Sequence, residues 1–201
     1  MLKLASYILK KMGWRVVVNT APTPRCLICV APHTSNWDFI VGELSARSVG
    51  LSAGFLMKST WFFFPLGHVL RALGGIAVHR APKHQQQAHV PTHSQPHAPS
   101  RNRVIESVVK EFEHRQNLAI AITPEGTRSL NPNWHQGIVV MAHEAQVPIV
   151  LAYIDYHNKV ACFDRIFEPT GNFDADMLAI KQYYEQHKQA ALYPQLFSTG
   201  L

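Results

Sequence analysis

Two short runs in this chain carry residue types that could do chemistry. In His33-Thr34-Ser35-Asn36-Trp37-Asp38 an imidazole precedes a carboxylate by five positions. An imidazole titrates near neutrality and can take a proton from a hydroxyl; a carboxylate on its far nitrogen fixes the tautomer and stabilises the imidazolium. The second run is Thr123-Pro124-Glu125-Gly126-Thr127-Arg128-Ser129. Gly126 allows close backbone approach, and Arg128 offers a planar fork matched to phosphate oxygens. Thr127 and Ser129 add hydroxyl donors, while Glu125 suits fixing an arginine or accepting from a substrate. Together they suit moving an acyl group onto a phosphate-bearing alcohol. The plainer reading of the first run is a helix whose first turn carries Asp38 as a cap; that of the second is a tight turn with a surface ion pair.

The elements around these runs decide between the readings. Strand-like apolar runs occupy residues 26–31, 55–58, 76–79, 118–122, 148–156 and 160–167. Helical periodicity marks 38–49, 61–73, 103–115, 137–146 and 174–187. In 103–115, Val104, Val108 and Phe112 align with Ile105 and Val109, while Glu106, Lys110 and Glu113 face out. Alternation of strand and helix predicts an α/β fold: one domain over residues 1–201, with a mostly parallel sheet covered by helices on both faces. Reactive groups of such sheets gather in loops beyond strand ends. His33 follows the first predicted strand and Glu125 the fourth, so both stand where a site belongs.

Composition is consistent with one substantial core: 201 residues, 47% of them hydrophobic. The formal charge of +6 favours anionic partners, and no nucleic-acid-binding signature accompanies it, which leaves phosphorylated substrates or an anionic membrane. Cys26 and Cys29 form a C-x-x-C, but inside a strand-like run they face opposite sides and read as core packing, consistent with a reducing compartment.

No segment reaches the ~18 apolar residues of a spanning helix. Residues 1–14 instead form an amphipathic pattern, with Leu2, Ala5, Ile8, Leu9 and Met12 on one face and Lys3, Lys10 and Lys11 on the other. No small-residue cleavage site follows, so a peripheral helix on the cytoplasmic face of an anionic membrane fits better than a signal peptide. An ordinary surface helix packed on its own domain is the alternative. Residues 82–102 are rich in Pro, Gln and His and are expected to be a disordered insertion. The prolines there would keep His84, His89, His93 and His97 from aligning, so no metal site is expected. Trp61, Phe62, Phe63 and Phe64 are expected mainly in the core, with an acyl groove or lipid contact as the alternative.

Gly50-Leu51-Ser52-Ala53-Gly54 matches the G-x-S-x-G elbow of esterases, in which a strand must run into a helix. Here a helix runs into a strand, so Ser52 reads as part of a helix-ending turn. A basic lipid-binding module without turnover is the other rival, and it would need neither His33 nor Asp38.

Taken with their order, these motifs resemble the glycerolipid acyltransferases, the family of lysophosphatidic acid and glycerol-3-phosphate acyltransferases. His33 and Asp38 match the first family motif. Gly75-Ile76-Ala77-Val78-His79-Arg80 is similar to the second, and Glu125, Gly126, Thr127 and Arg128 match the third. Val147-Pro148-Ile149-Val150 resembles the fourth, a structural and acyl-donor segment. The resemblance spans roughly residues 22–169 apart from the insertion. Departures are Pro32 for a common Asn, His79 for a common Asp, and Thr123 for a common apolar residue. The resemblance implies catalysis by His33 and Asp38, and acceptor binding through Arg80, Glu125, Gly126, Thr127 and Arg128. It also implies acyl-CoA or acyl-carrier protein as donor, a lyso-lipid acceptor such as 1-acylglycerol-3-phosphate, and no cofactor or metal.

Overall fold

The computed structural model of the chain describes residues 2–72, 74–78 and 99–201. Its elements run α1 (Leu2–Lys11), β1 (Arg15–Val18), β2 (Arg25–Val30), α2 (Trp37–Ser48), β3 (Ala53–Lys58), α3 (Leu66–Ala72) and β4 (Gly75–Val78). They continue with α4 (Pro99–His114), β5 (Leu118–Ile122), α5 (Gly137–Ala145), β6 (Ile149–Asp155), β7 (Val160–Phe167) and α6 (Phe173–Glu185). One seven-stranded sheet has the order β1-β7-β6-β2-β5-β3-β4. Strands β2 to β6 run parallel; β7 turns back antiparallel on β6, and β1 follows β7. This is the expected α/β architecture with a mostly parallel sheet.

Strand alternation sorts the two faces. On one, Leu27, Cys29, Leu118, Ile120, Ile149 and Leu151 pack against Val108 and Phe112 of α4, Ile138 and Met141 of α5, and Ile180 and Tyr184 of α6. On the other, Cys26, Ile28, Ala119, Val150 and Ala152 meet Ala46 of α2, with Leu9 of α1 beyond, against Val41 and Ile154. Cys26 and Cys29 thus lie in different layers, each fully buried and unpaired, with burial pushing both thiols up to about 12. An inert thiol of that kind is a small core residue.

The layer under α2 is built largely from small residues. In β5, whose sequence is Leu-Ala-Ile-Ala-Ile, the bulky side chains at 118 and 120 face α4 and α5, and Ala119 and Ala121 face α2. Ala46, Ala53 and Ala152 join them. Five short side chains cannot fill the gap between a helix and a sheet, and a cavity of about 600 Å³ remains there.

Four expectations are corrected. Arg15–Val18 is a strand that the alternation does not reveal, because only four residues long and exposed at both ends it lacks a buried face. The helix expected over 61–73 starts at Leu66, after a single 3-10 turn at Ser59–Trp61; Pro65 lacks the N–H and the freedom to continue a helix through it. The aromatics ahead of it are not core: Trp61, Phe63 and Phe64 are all exposed, Phe64 at 82%. Helix α4 begins at Pro99, so the last residues of the expected insertion belong to it, in keeping with the preference of proline for a first helical position. Residues 82–98 and their histidines lie outside the described residues.

The N-terminal helix ends at Lys11 rather than 14, with Gly13 at φ +77° turning the chain into Trp14. It packs inward through Ala5 and Leu9, while Leu2, Leu4 and Tyr7 are exposed beside its lysines. Among the described residues no helix is long and apolar enough to cross a membrane.

Candidate active site

Three neighbouring strands, β6, β2 and β5, run parallel and end at one edge of the sheet. The loops beyond those ends carry Tyr156, His33 and the run 123–129 respectively. The site is therefore a product of strand order, and His33 comes from its central strand.

Asp38 lies in the first turn of α2, where the helix dipole favours a carboxylate. It does not cap α2, since the N–H groups it accepts from precede the helix. Oδ2 takes Thr34 N–H and Ser35 N–H, both at 2.9 Å, and His33 Nδ1 at 3.0 Å. Oδ1 takes the Tyr156 hydroxyl at 2.6 Å. The carboxylate is buried at 4% exposure and curls the loop around itself. A carboxylate only accepts, so the pairing assigns the His33 proton to Nδ1 and leaves Nε2 as an acceptor.

Glu125 is turned inward. At 1% exposure it accepts the His33 backbone N–H on Oε1 at 2.7 Å, while Oε2 is buried without a hydrogen-bond partner among the described residues. Burial pushes its carboxyl up to about 8; the His33 N–H opposes the rise and the Asp38 charge adds to it. Glu125 pairs with no arginine among the described residues. Its backbone carbonyl is fixed by Asn131 Nδ2 at 2.8 Å.

Gly126 sits at φ +67°, a left-handed conformation that favours glycine, and a Cβ there would approach His135 at 3.1 Å. Beyond it Thr127, Arg128 and Ser129 are exposed, with the Thr127 hydroxyl accepting Ser129 N–H at 3.2 Å. Arg128 makes no ion pair with any described residue. These residues line a polar pocket of about 330 Å³. His33, Thr123, Gly126 and Arg128 border both this pocket and the apolar cavity under α2. Arg80 lies outside the described residues.

Past His33 the apolar cavity is walled by Phe39, Gly42, Ala46, Phe55, Ala121 and Ala152. Glu43 and Ser45 are polar members of the wall under α2; burial raises the Glu43 carboxyl, and the bond from Arg47 Nε at 2.5 Å opposes that. Ser52 is exposed in the loop leading into β3, at the sheet edge opposite the one where His33 stands.

Two features escaped sequence reasoning. The alternation of alanine with bulky residues in β5 was the available signal for the cavity. Tyr156 gave no such signal, because it reads as the final residue of an apolar strand.

An imidazole that borders both an alkyl-sized apolar cavity and a pocket lined by Arg128 makes this the candidate active site of the α/β fold. A family model described as Acyltransferase matches residues 15–155, well over half of the chain. The chain belongs to this acyltransferase family and is an O-acyltransferase, in line with the resemblance of its motifs. No curated protein matches it. Among solved structures it is similar to the 1-acyl-sn-glycerophosphate (LPA) acyltransferase PlsC from Thermotoga maritima, with TM-score 0.55 and 17% identity over 93% of this chain and 78% of that one. At that identity the likeness is one of fold.

Proposed function

We propose that the protein moves a fatty acyl group from an acyl-CoA or acyl-carrier protein thioester to the hydroxyl of a lysophospholipid-type acceptor. The acceptor we place first is 1-acylglycerol-3-phosphate. One observation carries the reading: the imidazole of His33 stands on the boundary shared by the apolar cavity and the pocket of Arg128. A thioester with its chain under α2 and an acceptor with its phosphate at Arg128 would meet at His33. Holding both there supplies much of the rate by proximity.

His33 Nε2 takes the proton as the acceptor oxygen attacks the thioester carbonyl. Asp38 stabilises the imidazolium so formed, and the tetrahedral intermediate collapses by breaking the C–S bond. The imidazolium returns the proton to the departing thiolate, leaving ester and thiol. In this reading Arg128, Thr127 and the Gly126 backbone bind the phosphate, joined by Arg80 through its match to the second motif. Glu125 supports the binding turn and the base loop rather than meeting the anion, since its side chain is buried and bonds the His33 N–H. The exposed apolar and lysine side chains of α1 support peripheral contact with an anionic membrane on its cytoplasmic face.

The test is thiol release from acyl-CoA and acyl-carrier protein against a panel of lyso-lipid acceptors, with products identified by mass. Acceptor-dependent release with formation of the diacyl product is expected. Lipid binding without thiol release for any pair would overturn the reading in favour of a binding module.

A further inference from the structure

Asp38 has more partners than a two-residue dyad requires. A carboxylate offers about four lone-pair sites. Three donors, His33 Nδ1–H, Thr34 N–H and Ser35 N–H, converge on Oδ2. All three come from the local loop, and they leave the second oxygen buried and in need of a partner. That partner is the hydroxyl of Tyr156, at 2.6 Å, from a residue 118 positions away at the end of a different strand.

Tyr156 is itself held from three sides. It directly follows β6, its backbone N–H donates to Ala190 O at 2.9 Å, and its ring meets the edge of Trp14 with centroids 5.2 Å apart at 89°. The C-terminal segment also reaches the loop from the other side, where Tyr193 N–H donates to the Thr34 hydroxyl at 3.2 Å. Trp14, Tyr156, Ala190 and Tyr193 all fall outside the 15–155 span matched by the family model.

We propose that Tyr156 is a positioning residue for the general base, acting through Asp38, and that the C-terminal segment and the turn after α1 hold it in place. The terminal torsion of an aspartate is broad, so three donors on one oxygen do not lock the carboxylate plane. A fourth on the other oxygen does. With both oxygens engaged, Asp38 stays an acceptor, and His33 keeps its proton on Nδ1. Burial and the neighbouring Asp38 charge raise the Tyr156 phenol well above its ordinary range, so its hydroxyl remains a donor at working pH. The role in turnover rests on the acyl-transfer reading above; the hold on the imidazole does not.

Tyr156→Phe keeps the ring and its Trp14 contact and removes one hydroxyl. Among the described residues, Glu125, Arg128 and Tyr193 are charged or titratable groups near the pair, with Glu43 on the wall of the same cavity, and the substitution leaves all of them in place. Leaving a buried acceptor unpaired is expected to lower kcat roughly ten- to a hundred-fold, with KM for both substrates unchanged. The acid limb of kcat/KM should move up by roughly half to one pH unit, because a less neutralised Asp38 favours the imidazolium.

An independent readout needs no turnover. The ring resonances of labelled histidine, with His33 assigned by its loss in His33→Gln, should titrate at higher pH in Tyr156→Phe than in the unaltered protein. An unmoved His33 titration overturns the proposal, both with unchanged kcat and with a pH-independent loss that tracks a lowered melting temperature. If no thioester is turned over by the unaltered protein, the acyl-transfer reading fails, while the His33 titration still decides the role of Tyr156.

Discussion

The backbone N–H of His33 donates to the carboxylate of Glu125 at 2.7 Å, across 92 positions of sequence. This one bond ties the loop that carries His33 to the turn that carries Arg128. It also explains why a carboxylate is tolerated beside a pocket suited to anions, since Glu125 points away from that pocket into the fold. Both runs owe their mutual position to it and to the neighbouring places of β2 and β5 in the sheet.

Glu125 makes the stability of the protein depend on pH. Its folded-state carboxyl is raised to about 8 from 4.5, so the folded state holds this proton more tightly than the unfolded chain does. Its stabilising contribution is complete below the unfolded value and is lost as pH rises through about 8. Thermal melts should show the protein losing stability between about pH 4.5 and about pH 8, and Glu125→Gln should flatten that slope. Gln keeps the acceptor for His33 N–H, so most activity should survive at neutral pH. Glu125→Ala removes the strut and should lower kcat about ten-fold or more.

Removing the base should abolish transfer while sparing the fold. His33→Ala is expected to lower kcat/KM by about 10²- to 10⁴-fold with little change in melting temperature. Asp38→Asn should cost a similar factor, because an amide cannot accept all four donors and turns the imidazole to the wrong tautomer. Ser52→Ala should leave thiol release unchanged. Loss of activity in the Ser52 variant, with activity retained in the His33 one, would mean that the chemistry lies at the other edge of the sheet.

Arg128 should reveal itself in acceptor affinity. Arg128→Ala is predicted to raise KM for a phosphorylated acceptor by about 10- to 100-fold and to weaken its dependence on salt. Arg128→Lys should recover only part of the loss, since an ammonium lacks the bidentate fork. Donor KM should not move. Equal KM values for phosphorylated acceptor in all three proteins would exclude Arg128 from the acceptor pocket.

The alanine-lined cavity makes a prediction about chain length. Ala46 is buried on its wall, in the last turn of α2, and Ala46→Leu would fill part of the space. Turnover of long-chain acyl-CoA should fall while that of the shortest accepted donor is retained, giving a shifted preference across a chain-length series. An unaltered series would show that the acyl chain lies elsewhere.

Much of this site was legible without coordinates because it is local. His33 and Asp38 are five positions apart across one loop and one helical turn, and β5 and β7 begin and end where their apolar runs do. Errors arose where local pattern is silent or where one residue outweighs its neighbours. Arg15–Val18 has no buried face to signal a strand, and Pro65 divides an otherwise helical stretch. The aromatics at 61, 63 and 64 are apolar by type, yet the loop beyond β3 leaves them in solvent.

What the chain determined by itself was the chemistry at each strand end: an imidazole with its carboxylate, a left-handed glycine turn with its arginine, and small residues on one face of β5. Only the tertiary structure decided that β6, β2 and β5 stand side by side, so that Tyr156, His33 and Glu125 close on one another at a common edge. The period of side chains along a strand says which face each residue meets. The order of strands is set by how α2 and α5 cross the sheet and pack on it, a long-range property that no window of residues contains.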